Sequence, residues 1–156
     1  MPTIVIAKCE ICRNISSDSN LITETEYWRV ILADDQAYLG RSFVTLKNHK
    51  ESLSQLSHEE WLDFETLAKH IEESYEKTFN SGRPFNWACM MNNAFKESNP
   101  APHVHWHLRP RHEKPVLVAG EEYTDPEYAH HYRRSRKTYV EQSRLDIIAA
   151  LIKQNI

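Results

Sequence analysis

Three histidines alternate with apolar residues in the segment 103–107, whose sequence is His-Val-His-Trp-His. In an extended strand successive side chains point to opposite faces, so His103, His105 and His107 would share one face. The intervening valine and tryptophan favour a strand over a helix and would pack on the other face. A row of three imidazoles is suited to metal binding, to general acid–base catalysis or to nucleophilic attack on phosphorus.

Attack on phosphorus requires a neutral imidazole with one nitrogen aimed at the phosphorus atom and the other held as a donor to a carbonyl group. His105 is the best placed, because His103 and His107 can orient it, contact phosphate oxygens or protonate a leaving group. Arg109 and Arg111 continue the alternation and are candidates for phosphate contacts or for salt bridges. The residues alone leave open whether the row attacks phosphorus or only binds a metal.

Cys9 and Cys12 form a C-x-x-C pair in a chain with three cysteines, and this odd number argues against a disulfide scaffold. A thioredoxin-like redox pair would open a helix after a strand, and the segment 13–17 does not favour a helix. A tetrahedral zinc site would need two more ligands, which histidines must supply. His49 and one member of the histidine row are the candidates, and the sequence does not choose among them.

The composition is that of one globular domain, with 156 residues of which 40% are hydrophobic and 26% are charged. The formal net charge of −3 gives no general attraction to nucleic acid or to an anionic membrane, so we expect no stable nucleic-acid partner. No apolar run approaches the roughly 18 residues of a membrane span. The first residues also lack the features of a signal peptide. We therefore expect a cytoplasmic protein without a membrane partner.

Hydrophobic patterning predicts antiparallel strands around one long helix. Strands are expected over the histidine row and at 27–33, 42–46 and 84–91. Ser57 and Glu60 have the spacing of a capping box, and apolar residues follow at steps of three and four. A long helix is therefore expected to end near 81–82. Strands in series with one major helix between them indicate an α+β fold.

The C-terminal part, 116–156, is expected to be a helical extension that packs on a main domain at 1–115. Its last helix should run from about 140 to 153, and Asp125 followed by proline predicts another helix start. The segment 130–137 is a basic cluster in an otherwise acidic chain. We expect it to be a solvated helix face, with a contact to a polyphosphate tail or to a second subunit as the alternative.

The histidine row, with its hydrophobic fillers and the Pro-Arg pair that follows, resembles the signature of the histidine triad (HIT) family. Cys9 and Cys12 lie where many members begin, and the Lys-Asn-His segment ending at His49 resembles the segment before the family's long helix. The resemblance covers roughly residues 5–112. It implies a HIT-like α+β fold, an antiparallel sheet with one long helix, to which this chain adds its C-terminal helical extension.

The resemblance also implies roles for individual residues. His105 would attack the α-phosphorus of a nucleotide and form a covalent nucleotidyl-histidine, which water then hydrolyses. His107 would contact the phosphate or the leaving group, and Asn92 would help to fix the nucleotide. Zinc-bearing branches of the family, with the related uridylyltransferases, use two cysteines, an upstream histidine and the first histidine of the row. Carried over to this chain, the ligands of that structural zinc are Cys9, Cys12, His49 and His103.

The sequence departs from the family just before the histidine row. Members usually have a Gly-Gln-Ser/Thr-like stretch there that offers a hydroxyl and backbone N–H groups to the phosphate. Here Pro100 and Pro102 have no N–H group to donate. Ser98 and Asn99 are then expected to rebuild this part of the phosphate site, with Arg111 as a further candidate for substrate binding.

The resemblance implies a nucleotide hydrolase or transferase that acts on a nucleoside phosphoramidate or a dinucleoside polyphosphate. It also implies a homodimer paired through the long helix and a strand, for which the apolar segment 84–91 is suitable. One alternative is a catalytically weak nucleotide-binding or scaffold protein, suggested by the altered proline stretch. Another is a metalloenzyme that uses His105 and His107 as ligands of a catalytic metal.

Overall fold

The computed structural model describes residues 6–80 and 83–156. Its main element is a five-stranded antiparallel sheet in the order β1-β2-β3-β5-β4. The strands of this sheet are β1 Leu21–Glu24, β2 Trp28–Leu32, β3 Ser42–Leu46, β4 Phe85–Cys89 and β5 His105–Pro110. A separate hairpin is formed by β6 Val116–Val118 and β7 Glu121–Tyr123. The helices are α1 Glu10–Asn14, α2 His58–Phe79 and α3 Gln142–Lys153, with 3-10 turns at Leu53–Gln55 and Asn92–Lys96. The α+β fold with an antiparallel sheet and one long helix is therefore confirmed.

The central strands present two chemically different faces. One face carries the apolar residues Trp28, Val30, Leu32, Val44, Leu46, Val104 and Leu108, all buried in the main core. On the other face Thr45 pairs with His105 and Phe43 with His107, in the antiparallel register of β3 and β5. Since side chains alternate along each strand, this register directs the imidazoles away from the core.

Helix α2 begins and ends at residues suited to these positions. The Ser57 hydroxyl accepts from the Glu60 N–H at 3.3 Å, and the Glu60 carboxylate accepts from the Ser57 N–H at 2.7 Å, as a capping box requires. Asn80 ends the helix in the left-handed region with φ 46°. The predicted helix end at 81–82 lies outside the described residues. The buried face comprises Leu67, Ile71, Tyr75 and Phe79, whereas Trp61 stays 38% exposed.

The C-terminal extension packs onto the same core. The predicted last helix is confirmed as α3, which buries Leu145, Ile148, Ala149 and Ile152. The hydroxyl of Ser74 on α2 donates to the Ile152 carbonyl at 3.2 Å. In the described part of the chain, no helix is both long and apolar enough to cross a membrane.

The prediction of a helix that starts at Asp125 is wrong, because residues 126–129 form turns. The carboxylate expected to cap that helix instead binds the guanidinium of Arg111 at 2.6 and 3.0 Å. The segment 130–137 is likewise irregular rather than a helix face. Bonds to Tyr38 and Asp35 fix it to the β2–β3 connection. The segment is therefore held against the body of the protein, while the side chains of Arg133, Arg134 and Lys137 stay exposed.

Candidate active site

Two cysteines and two histidines meet at one end of the sheet. Cys9 immediately precedes α1, a five-residue helix not predicted from the sequence, and its sulfur accepts from the Cys12 N–H at 3.5 Å. The Cys9 Sγ lies 3.4 Å from His103 Nδ1, and the Cys12 Sγ lies 3.3 Å from His49 Nδ1. All four ligand atoms are within 4.8 Å of one another, and all four residues are buried. The structure thus brings together the four residues named from the resemblance.

This cluster fits a tetrahedral zinc ion. Zn–S and Zn–N bonds of about 2.3 and 2.05 Å at tetrahedral angles place sulfur and nitrogen about 3.6 Å apart. Three of the four S···N distances of the cluster are 3.3, 3.4 and 3.5 Å. The Nε2–H of His103 donates to the Leu46 carbonyl at 2.7 Å, so the lone pair of Nδ1 faces the sulfurs. Burial lowers the pKa of His103 to about 4, which keeps the ring neutral, as a metal ligand must be.

His105 is held as a neutral imidazole with one free nitrogen. Its Nδ1 lies 2.7 Å from the carbonyl of His103. Because a carbonyl only accepts, Nδ1 carries the proton and Nε2 has its lone pair available. Burial lowers the pKa of His105, so the neutral form dominates at pH 7. This is the protonation state and tautomer that attack on phosphorus requires.

His107 lies beside His105, with ring centroids 4.9 Å apart. Its Nε2 donates to the Met90 carbonyl at 3.3 Å, and its Nδ1 is buried without a hydrogen-bond partner among the described residues. Burial above all, then the neighbouring His105 and Arg109, lower its pKa to about 4. The free Nδ1 is consequently a proton acceptor, and donation from it to a phosphate oxygen first requires uptake of a proton.

A cavity of about 870 Å³ lies over this face of the sheet and reaches His103, His105 and His107. The N-terminal turn lines one side, and Met90, Met91, Asn93, Ala94 and residues 97–99 line another. The ammonium of Lys8 connects the two sides, donating to the Asn99 side chain at 3.1 Å and to the Pro100 carbonyl at 3.3 Å. The volume is within the usual range for sites of nucleotide-sized ligands.

The predicted substrate-binding residues fall at different places. Ser98 and Asn99 line this main cavity. Asn92 instead lines a second cavity of about 430 Å³ that continues beyond His107. The two cavities share Arg41 and His107, among other residues.

The structure does not support the expected role of Arg111 in substrate binding, because this residue lines neither of the two cavities. The residue is 2% exposed, and its guanidinium forms two bonds to Asp125 and one of 3.1 Å to Asn86. Strand β5 ends at Pro110, directly before it. The paired carboxylate neutralises the cation, so Arg111 joins the sheet to the extension instead of meeting a phosphate.

Sequence reasoning missed Phe43 of β3 and Arg41, which directly precedes that strand; both lie near the histidines. Phe43 packs edge-on against His107 at 5.1 Å between centroids, and the Arg41 guanidinium carbon lies 5.4 Å from the Phe43 ring centre. The alternation of Arg41, Phe43 and Thr45 was a usable signal, because strands paired with a histidine strand must show their own alternate residues on the same face. It also missed Tyr132, over whose ring the Arg109 guanidinium lies at 4.1 Å.

Comparison with known proteins agrees with this geometry. A comparison with curated protein sequences finds no match. Among solved structures, a zinc-bound histidine triad family protein from Mycobacterium smegmatis has a TM-score of 0.59 at 19% identity, covering 94% of each chain. A diadenosine triphosphate hydrolase from Plasmodium falciparum has a TM-score of 0.59 at 17% identity, covering 88% of this chain and 76% of that one. A histidine triad nucleotide-binding protein from Sulfolobus tokodaii, described as hypothetical, has a TM-score of 0.64 at 16% identity, covering 93% and 88%.

The family profile described as HIT domain matches residues 14–114, about two-thirds of the 156 residues, and includes His49 and the whole histidine row. The solved structures share the fold that this profile implies. The chain therefore belongs to the histidine triad family.

Proposed function

We propose that this protein is a nucleotide hydrolase or transferase that acts at an α-phosphate through a covalent nucleotidyl-His105 intermediate. The observation that carries the proposal is the 2.7 Å bond from His105 Nδ1 to the His103 carbonyl. This bond fixes the tautomer in which Nε2 is the nucleophile. The substrates are nucleoside phosphoramidates or dinucleoside polyphosphates.

In the first step His105 Nε2 forms a bond to the α-phosphorus, and the bond from phosphorus to the leaving group breaks. The main cavity holds the nucleotide, with Ser98 and Asn99 at its rim and Asn92 beyond His107. In the second step water attacks the phosphorus and releases the nucleoside monophosphate from His105. The proton of that water leaves with the product, and His107, whose ring lies 4.9 Å from that of His105, lines the same cavity.

Cys9, Cys12, His49 and His103 would hold a zinc ion that acts structurally. Four protein ligands leave no open position for substrate, so the ion's contribution is to clamp the N-terminal turn to the sheet. His103 has two functions in this arrangement. Its ring belongs to the metal cluster, while its carbonyl accepts from His105. The cluster therefore acts on the reaction by positioning the carbonyl that accepts the hydrogen bond from His105 Nδ1.

A catalytic metal bound by the histidine row is less well supported. In the part of the chain that the structure describes, the group of potential metal ligands contains neither His105 nor His107. His105 also uses its Nδ1 for a backbone carbonyl. The second candidate function is a catalytically weak nucleotide-binding protein. The proline stretch favours it, because Pro100 and Pro102 provide no N–H donors for a phosphate.

The protein is also proposed to be a homodimer. Trp61 and Leu62 on α2 are 38% and 49% exposed, and β4 lies at an edge of the sheet. An apolar helix face beside a free strand edge is a suitable surface for a second copy. We place the protein in the cytoplasm.

Trapping of the covalent adduct tests the proposed activity. Adenosine 5′-phosphoramidate and diadenosine triphosphate are incubated separately with the protein, the reaction is stopped in acetonitrile, and the intact mass is measured. We expect one adenylyl group on the wild type, none on His105→Asn, and a wild-type result for His70→Asn, which replaces an exposed histidine of α2. Absence of both the adduct and turnover with both substrates would favour the second candidate.

A further inference from the structure

The second cavity is strongly basic, although the chain as a whole is acidic. Its lining includes six cationic side chains and one carboxylate, that of Asp35. The cations are Arg41, Arg109, Arg133, Arg134, Arg136 and Lys137, and we call this cavity the basic cleft. Four of the six lie in the C-terminal extension, outside the residues 14–114 that match the family. Most of the cationic lining of the cleft therefore lies outside the residues that the family profile matches.

Arg109 is a buried cation without a counter-ion. The residue is 8% exposed, and its Nη1 has no hydrogen-bond partner among the described residues. No described carboxylate lies within ion-pair distance of it, and its guanidinium stacks on Tyr132 at 4.1 Å. Burying a charge without a partner is costly, and such groups are normally paired or bind a ligand. Burial and then the nearby Arg41 lower the pKa of Arg109, while Asp35 and two tyrosines act in the opposite direction.

The carboxylates near the cleft do not neutralise it. Asp35 binds both Arg41 and Lys137. Glu127 is shared by Arg133 and Arg136 at 3.6 and 3.1 Å. These four cations thus have two carboxylates between them, and Arg134 is exposed and forms no ion pair with the described residues. The surplus of positive charge faces the cleft.

The basic cleft adjoins the main cavity at His107, the neighbour of the proposed nucleophile His105. His105, His107 and Arg109 lie at successive alternate positions of β5, so neighbouring members of the series are about 7 Å apart along the strand. His107 lines both cavities, whereas His105 lines only the main one and Arg109 only the cleft. A group that leaves the α-phosphorus opposite to His105 can enter the cleft past His107.

We propose that the basic cleft binds the oligophosphate part of the leaving group, so that the substrates of this protein are nucleotides whose α-phosphate carries a polyphosphate chain. This inference rests on the proposed function, and it narrows the two substrate classes to one. The Nε2–P bond forms as the bond from the α-phosphorus to the bridging oxygen breaks. The departing oligophosphate keeps the electron pair. Water then replaces the histidine on phosphorus, and the nucleoside monophosphate and one proton are released.

The protonation state of His107 agrees with this choice of leaving group. An amine must receive a proton as it leaves, whereas an oligophosphate leaves as an anion and requires positive charge instead. The neutral His107 has no proton on Nδ1 to give to an amine. The cleft offers cations at the position where the anion develops.

The test measures substrate preference when the cleft loses charge. We compare kcat/KM for diadenosine tetraphosphate and adenosine 5′-phosphoramidate in the wild type and in the double variant Arg133→Ser/Arg134→Ser. Both residues are exposed, so the variant is expected to fold. The ratio of the two kcat/KM values should fall about tenfold, as expected for losing charge-assisted contacts to phosphate. The double variant Lys114→Ser/Lys153→Ser removes the same charge from exposed positions outside both cavities and should keep the wild-type ratio.

Binding of inorganic tripolyphosphate, measured by calorimetry, gives a second readout that is independent of turnover. The wild type should bind it, Arg109→Met and Arg133→Ser/Arg134→Ser should bind it at least fivefold more weakly, and the lysine control should bind it normally. Equal loss of kcat/KM on both substrates, or tripolyphosphate affinity unchanged in the arginine variants, overturns the inference. If neither substrate is hydrolysed, the proposed function fails, and the calorimetry alone decides whether the cleft is an anion site. If tripolyphosphate binds the wild type and the arginine variants equally, its binding is a non-specific anion effect, and the proposed binding in the cleft is refuted.

Discussion

Replacing Ile148 by alanine tests whether the C-terminal helix and the sheet belong to one cooperative core. Ile148 has no exposed surface, and it lies on α3 in the same hydrophobic cluster as Trp28 and Leu108 of the sheet. Its neighbour Ile147 is 45% exposed. The two isoleucines therefore allow the same chemical change to be made once inside the core and once on the surface of the same helix.

The magnitude follows from the burial. Isoleucine to alanine removes three carbons, which at ~0.8 kcal/mol per buried methylene corresponds to about 2.4 kcal/mol. A residual cavity of about 60 Å³ adds about 1.5 kcal/mol at ~24 cal/mol per Å³. We therefore expect Ile148→Ala to lower the free energy of unfolding by about 4 kcal/mol, and Tm by about 8–16 °C for a chain of this size. For Ile147→Ala we expect a loss below about 1 kcal/mol.

The assay follows urea unfolding by two probes. The four tryptophans lie between residues 28 and 106, so their fluorescence reports on the HIT domain, while far-UV circular dichroism also includes α3. In a single cooperative core, Ile148→Ala shifts both transitions together. The reasoning is refuted if helicity is lost early while the tryptophan transition stays in place, or if both isoleucine variants lose the same free energy.

Three further predictions concern the metal cluster and two buried carboxylates. Purified protein should contain about one zinc per chain by mass spectrometry. The Cys12→Ser variant should lose this zinc, because a site with three protein ligands binds the ion more weakly. Stoichiometric zinc in the variant would contradict the assignment. Glu60→Ala should lower the free energy of unfolding in urea by about 2–3 kcal/mol, because it removes the capping box and leaves the Lys50 ammonium without its ion-pair partner at 2.5 Å. The control Glu59→Ala changes an exposed residue and should lower it by less than about 0.5 kcal/mol. Burial acts to raise the pKa of Asp35, but two backbone N–H groups and neighbouring cations outweigh it, so its pKa is lowered. Its contribution to stability is thus present above the unfolded pKa of about 3.9 and is lost as the pH falls below it. The stability difference between wild type and Asp35→Asn should therefore shrink between pH 7 and pH 3, whereas the exposed Asp34→Asn control should show no such trend.

Sequence reasoning succeeded where a signal is local and periodic. The capping box at Ser57 and the alternation of the histidine row depend on residues within four positions of one another, and both elements formed, although β5 begins at His105 and not at His103. The short strand β1 and the hairpin of β6 and β7 were missed, because three or four residues carry too little periodicity. The partners of Arg109 and Arg111 were also not predictable. Whether a guanidinium meets Asp125, an aromatic ring or an open cleft depends on a connection fourteen or more residues away.

The alternation along β5 separates the two tasks of this strand, so the site depends on a fixed register. Val104 and Leu108 pack in the core while His105 and His107 face the cavity. A slip by one residue would bury two imidazoles and expose the apolar side chains. The pairing with β3 and β4 on both sides opposes such a slip. His103 adds a further constraint, because its ring donates to the Leu46 carbonyl at the end of β3. One residue thereby supports the register of the histidine strand, belongs to the cluster with Cys9, Cys12 and His49, and accepts through its carbonyl the hydrogen bond from His105 Nδ1.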